Sequence, residues 1–303
     1  MTGVQTCALP ISVRRTYIPL ITVVTDLVSV HRIWFNKNVD TCLVPTQFAR
    51  DLALAYGLPE SKVQITGIPV HPDIVRNKSA KAELRRQLGW QADMLTILAV
   101  GSRRVERLTE TLRVLNHFGQ PMQFAVVAGK DEELYRQAQA IDWHVPHYIY
   151  EYITNMPDLL HASDAIICKA GGLILTESLA SGLPIMLVDI LPGQEIGNAE
   201  YVVNGGAADL AETPVDALEV LYHWMMDGAR LLKERASNSA RLGKPSAAYR
   251  TAELAWKATE LGPLNRRGKR IAGRPGLVEL LSRNKVPLKE RPGRKRRHEQ
   301  PIH

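Results

Sequence analysis

The chain has 303 residues, 45% of them hydrophobic, with a formal net charge of +7, enough to bury one large core or two ordinary ones. No apolar run approaches the ~20 residues of a membrane span, which leaves a soluble or peripheral protein. The three cysteines, Cys7, Cys42 and Cys168, form neither a disulfide framework nor a zinc pattern and favour a reducing compartment.

In chain order, Met1 to Ser12 comes first and stands apart. MTGVQTCALPIS contains TGVQTCALPI, the in-frame translation of a common sequencing adapter, and is set aside from fold reasoning. On that reading the natural amino terminus is absent. Strands are expected at Leu20 to Thr25, Thr41 to Val44 and Val63 to Ile65, with a helix at Thr46 to Tyr56 between them. GIPVHPDI, Gly67 to Ile74, carries two prolines and a glycine; it is expected to exclude helix and to separate a remnant first domain, 13–73, from a second, 74–262.

In the second domain, strands at Leu95 to Val100, Gln123 to Ala128, Tyr148 to Tyr150, Ala165 to Cys168 and Pro184 to Val188 alternate with helices. The helices are at Lys78 to Leu88, Arg104 to Asn116, Asp131 to Gln139, Met156 to Ala162, Leu173 to Ser181 and Asn198 to Asn204. Such alternation implies βαβ units, a parallel sheet and ligands at the carboxyl ends of its strands. After Pro214 the pattern is helical to about Leu261.

KAGGLILTESLASGLP, Lys169 to Pro184, concentrates the chemistry: a strand end, a turn at Gly171 and Gly172, and a helix start. Free N–H groups and the positive dipole end of that helix suit a phosphate, and the glycines let a ligand approach the backbone. Glu177, about one turn on, is placed to accept two hydrogen bonds from a ribose diol, and Thr176 adjoins it. The next strand ends in LPGQEIGNA, Leu191 to Ala199, whose Gly193 turn, amides and carboxylates suit sugar hydroxyls. Asn198 fits equally as a helix cap or as a ligand. Together these describe a nucleotide-sugar site.

The paired signatures TDLVSVH, Thr25 to His31, and KAGG…TES…PGQE.GNAEY resemble the GT-B glycosyltransferases. The branch is that of monogalactosyldiacylglycerol synthase, the processive diacylglycerol glucosyltransferases and, more distantly, MurG-type transferases. The resemblance runs from about Thr22 to Gly262 and implies a Rossmann-like α/β donor domain preceded by the last portion of a Rossmann-like acceptor domain. By it, Gly101, Ser102 and Arg103 of GSRR form a first phosphate loop, although a plain βα turn with exposed arginines fits nearly as well. Gly129 of AGK lies near the nucleobase, where Lys130 is alternatively just solvated, and Ile153 offers backbone groups to the uracil edge. Lys169 contributes charge or a cap, Glu177 binds ribose, and Gln194 with Glu195 reads hydroxyls of the transferred sugar.

For the acceptor side the chain offers Asp26 and His31 as catalytic candidates, His31 fitting a packed or capping role as well; the family's main acceptor-side histidine belongs to the missing region. The resemblance implies a UDP-hexose donor as substrate, a lipid acceptor, no cofactor and no metal. His71, His144, His147 and His161 lack ligand spacing on a common face. The implied reaction moves a hexose to diacylglycerol at the cytoplasmic membrane face. The rivals are a MurG-like transferase and a UDP-sugar-binding fragment without activity; a dehydrogenase is disfavoured because no G-x-G-x-x-G opens a first βαβ unit.

The tail, Pro263 to His303, holds 13 Lys or Arg against 3 Asp or Glu, so the remaining 25 basic and 28 acidic residues leave the body slightly acidic. Its RRGKR and RKRR runs, broken by proline and glycine, read as a disordered extension that is either merely solvated or attracted to an anionic membrane surface. Without aromatic residues to stack on bases, it argues against a nucleic-acid partner.

Overall fold

The computed structural model describes residues 19–77, 79–101, 107–193 and 195–260. The adapter-like start, Ser102, Arg103, Gln194 and the basic tail lie outside them.

Two parallel sheets share one compact unit. The smaller joins β1 (Ile21–Val23), β2 (Thr41–Val44) and β3 (Val63–Ile65) in that order. Helix α1 (Gln47–Ala55) covers it, started by Thr46, whose hydroxyl accepts from the Ala49 N–H at 3.1 Å and donates to the Leu27 carbonyl. One cap thus fixes both the helix start and the loop after β1.

The connection then enters α2 (Asp73–Arg76), a single turn, and α3 (Lys81–Gln87). Helix was not expected as far as Ile74; it begins at Asp73 because Pro72 occupies the N-cap, where a missing N–H costs nothing. Ile68, Val70 and Ile74 of this connection pack into the core of the larger sheet together with Leu27.

That sheet is built from β4 (Leu95–Val100), β5 (Met122–Val127), β6 (His147–Tyr150), β7 (Ala165–Lys169), β8 (Ile185–Asp189) and β9 (Ala208–Leu210). Its spatial order is β6-β5-β4-β7-β8-β9, all parallel, the doubly wound arrangement. The crossovers are α4 (Leu108–Leu115), α5 (Glu132–Gln139), α6 (Met156–Ala162), α7 (Gly172–Ala180) and α8 (Ile196–Asn204). Residues Ile166, Ile167 and Cys168 are wholly buried, as a strand covered on both faces requires. Chain direction across the sheet reverses between β4 and β7, so the crevice for a ligand lies beyond Gly101 and Lys169.

Strand β9 was not expected. It is an edge strand of three residues, held where Asp209 accepts from the Trp224 indole at 2.7 Å and from Arg235 Nε and Nη2 at 2.7 Å each. Both partners lie on α9 (Pro214–Leu242), whose Thr213 and Asp216 form a reciprocal capping box. The backbone leaves helical geometry at Met226–Ala229 within that span, and α10 (Ala247–Glu260) completes the described fold.

Candidate functional site

Helix α7 starts at the sheet's reversal point. Its N-cap, Gly171, is extended (φ −71°, ψ 134°) and no side chain caps the first turn, so the N–H groups there face outward with the positive end of the dipole. A Cβ on Gly171 would meet nothing nearer than Lys169 Cε at 3.5 Å, so neither packing nor φ demands glycine. The absence of a side chain there keeps the approach to the amides open. Gly172 is different: a Cβ would lie 2.8 Å from the Thr25 carbonyl oxygen. Its glycine is required by the loop after β1, not by a ligand, which corrects the shared role read for both from sequence.

Glu177 lies on the same helix, half-buried. Burial pushes its carboxyl above the ordinary value, opposed by His71 on the connection between the sheets. No sequence signal pointed to His71 in this setting, since its spacing suggested only an absent metal site. Thr176 is buried, and its hydroxyl donates to the Gly172 carbonyl at 2.7 Å, so it serves its own helix and lines the crevice toward Leu27 and Gly67.

Lys169, at the end of β7, pairs with Glu195 at 2.5 Å. Glu195 is 6% exposed, and its second oxygen accepts from the Leu191 N–H at 3.1 Å. The carboxylate expected to read sugar hydroxyls is therefore engaged in neutralising Lys169 and folding the loop before α8. Asp26 stands close to this pair: burial, then the charge of Glu195, raises its carboxyl above the ordinary value. It sits 3.8 Å from where a Cβ on Gly172 would stand, over the start of α7.

Of the two roles that the sequence left open for Asn198, the helix cap is not the one it fills. Glu195 holds the N-cap position of α8, and the Asn198 amide is 1% exposed with both ends engaged. Its Oδ1 accepts from the Leu27 N–H at 3.0 Å and its Nδ2 donates to the Ala170 carbonyl at 3.2 Å. His31 is exposed and away from such a network: its Nδ1 accepts from the Ile33 N–H at 3.3 Å and caps the short turn Arg32–Trp34.

The remaining expected residues ring the strand ends. Gly101 closes β4, its N–H bonded to the Val127 carbonyl at 2.8 Å. Gly129 (φ +68°) turns the chain after β5, and Gly193 (φ +80°) turns it before α8. Ile153 packs against the core just before α6, and Lys130 lies over the Tyr152 ring at 5.1 Å. Asp189, at the end of β8, accepts from the Arg107 N–H at 3.2 Å and ties the return from the loop after β4 to the rim. Among the described residues no three His, Cys, Asp or Glu side chains come together to hold a metal ion.

An uncapped helix start at the reversal of a doubly wound sheet, with a carboxylate one turn along it, is an arrangement suited to an anionic ligand such as a nucleotide. Residues 95–251 match the glycosyltransferase family 28 C-terminal domain, and the chain belongs to that family. Residues 4–70 match the monogalactosyldiacylglycerol (MGDG) synthase family, which places the chain on that branch. A probable chloroplastic monogalactosyldiacylglycerol synthase of Glycine max is 35% identical over 237 residues, covering 76% of this chain and 45% of that protein. Monogalactosyldiacylglycerol synthase 2 of Arabidopsis thaliana is 34% identical, covering 76% and 51%. The chain spans about half the length of these relatives. Among solved structures, MurG of Acinetobacter baumannii superposes with a TM-score of 0.57 at 20% identity, over 79% of this chain and 67% of that one. Anabaena HepE in complex with UDP-glucose gives 0.51 at 15%, over 79% and 72%. These likenesses are of fold, and the fold is GT-B.

Proposed function

We propose that the chain carries the donor site of an enzyme that transfers a hexose from a UDP-sugar to a lipid, diacylglycerol. The observation that carries this reading is the start of α7: uncapped amides at an open Gly171 for the diphosphate, with Glu177 one turn along for the ribose diol. The match of the N-terminal segment to the MGDG synthase family points to the acceptor.

In the transfer, an acceptor hydroxyl oxygen attacks the anomeric carbon, the bond from that carbon to the diphosphate oxygen breaks, and UDP leaves with the electron pair. The dipole of α7 stabilises the charge growing on the diphosphate. Asp26 is the acceptor-side carboxylate near that helix start, so of the two candidates it is the one placed to take the hydroxyl proton. His31 serves as a cap. Gln194 and Glu195 belong to the loop at the sugar end, Glu195 by holding its shape.

A membrane-surface location fits the lipid acceptor. Among the described residues no helix is long and apolar enough to cross a membrane, while Ile33 and Trp34 are 65% and 48% exposed, and the tail is strongly basic. The cytoplasmic face of the membrane, with its anionic lipid, is the surface these features suit.

The test is incubation with UDP-galactose or UDP-glucose and diacylglycerol vesicles, with product lipids resolved by mass spectrometry. A monohexosyl diacylglycerol is the expected product. UDP binding accompanied by transfer only to a lipid-linked peptidoglycan precursor would overturn the acceptor, and no UDP binding at all would overturn the donor.

A further inference from the structure

The loop after β1 docks on the starts of two donor-side helices through three separate contacts. The Thr25 carbonyl lies against Gly172 of α7, where a Cβ would come within 2.8 Å. Ser29 lies against Gly197 of α8, where the Ser29 hydroxyl occupies the space of a Cβ. Between them, the Leu27 N–H donates to Asn198 Oδ1, and the other end of the same amide holds the Ala170 carbonyl at the end of β7. One buried side chain therefore joins three segments: the acceptor-side loop, the phosphate loop and α8. Neither glycine has a positive φ, so close approach is what excludes a side chain at both.

We infer that Asn198 is a positioning residue, a clasp that holds Thr25 to Ser29 against the donor site and thereby sets Asp26 over the start of α7. The inference rests on the donor-site reading only for what Asp26 faces; the clasp itself is geometry. Asp26 has a flanking residue held on each side of it, Thr25 packed on Gly172 and Leu27 hydrogen-bonded to Asn198, so its backbone is fixed at both neighbours. The charged groups it faces are Glu195, and through Glu195 the paired Lys169. Releasing the loop moves Asp26 into water and away from that pair; Asn198→Ala also frees the Ala170 carbonyl beside Gly171, whereas Gly197→Ala leaves that bond in place.

The experiment compares wild type, Asn198→Ala and Gly197→Ala by amide hydrogen exchange across Thr25 to Ser29, by carboxyl NMR titration of Asp26, and by calorimetry with UDP. Loss of one hydrogen bond at Leu27 is expected to speed exchange there about tenfold. The Asp26 titration should drop toward the ordinary aspartate range in both variants, with UDP affinity changed by less than about threefold in Gly197→Ala, which keeps the bond from Asn198 to the Ala170 carbonyl. Gly197→Ala works from the opposite side, by steric contact with Ser29, and the double variant Gly197→Ala/Ser29→Gly removes that contact and should restore both readouts. Unchanged exchange and an unchanged Asp26 titration in Asn198→Ala would overturn the clasp. So would a loss of UDP affinity as large as that of Glu177→Ala, which would make Asn198 a donor ligand. Failure of the wild type to bind UDP would instead strike the donor-site reading, with exchange and titration still deciding the clasp.

Discussion

Replacing Glu177 with alanine tests the donor site at its most specific point. Glu177 is half-buried on α7, one turn beyond uncapped amides, and burial holds its carboxyl above the ordinary glutamate value of 4.5. A ribose diol would present two hydroxyl donors to it, and a hydrogen bond to a charged group contributes ~1.5 to 3 kcal/mol. The second bond adds less than the first, because both draw on the charge of one carboxylate. A net loss of ~2 to 3 kcal/mol for Glu177→Ala corresponds to a roughly 30- to 150-fold weaker UDP complex. Calorimetry with UDP and with 2′-deoxy-UDP separates the diol from the rest of the ligand. Wild type should prefer UDP by about the factor for one charged hydrogen bond, ~10-fold or more, and Glu177→Ala should bind both ligands alike. If the variant still distinguishes them as the wild type does, the carboxylate does not read the diol, and the assignment of this helix as the ribose side is wrong.

The same carboxyl gives a pH-dependent stability. Its folded pKa lies above its unfolded value, so ionisation of Glu177 destabilises the fold; the penalty is full above the folded pKa, shrinks as pH falls from there toward 4.5, and is gone below. Glu177→Gln should therefore raise Tm at neutral pH, with the gain vanishing in acid, even as UDP affinity drops; a variant less stable than wild type at pH 7 would contradict this. Glu195→Ala leaves the Lys169 ammonium, 21% exposed, without its partner. The cost should be ~2 kcal/mol in urea unfolding, below the ~3 to 5 of a fully buried pair because of that exposure, and no change would show the pair to be idle. Asp209→Ala strips the buried Trp224 indole and Arg235 of one shared acceptor and should cost ~2 to 3 kcal/mol by the same measurement while UDP affinity is kept. Deleting Pro263 to His303 removes ten net positive charges and should reduce sedimentation with anionic vesicles, as should added salt; binding insensitive to both would place the membrane contact around Ile33 and Trp34.

How far the sequence could be read follows from how far apart in the chain the determining contacts lie. The central strands were legible almost to the residue because a strand buried on both faces must be a continuous apolar run, as in Ala165 to Cys168. Strand β9 was not, since only Ala208 of its three residues is buried and its existence depends on Arg235 and Trp224, which follow 26 and 15 residues later. The phosphate loop was legible because strand end, glycines and helix start are consecutive, so local propensity and function speak through the same few residues. What the flanking side chains do there was not. The partner of Glu195 is Lys169, 26 residues away, and a partner of Asn198 is Leu27, 171 residues away, and no local pattern in the sequence pairs either. Gly171 and Gly172 show the limit most directly. Adjacent, identical in type and read as one turn, they are separated by a single carbonyl oxygen from the first sheet: Thr25 accounts for Gly172, while at Gly171 neither a packing contact nor a positive φ calls for glycine.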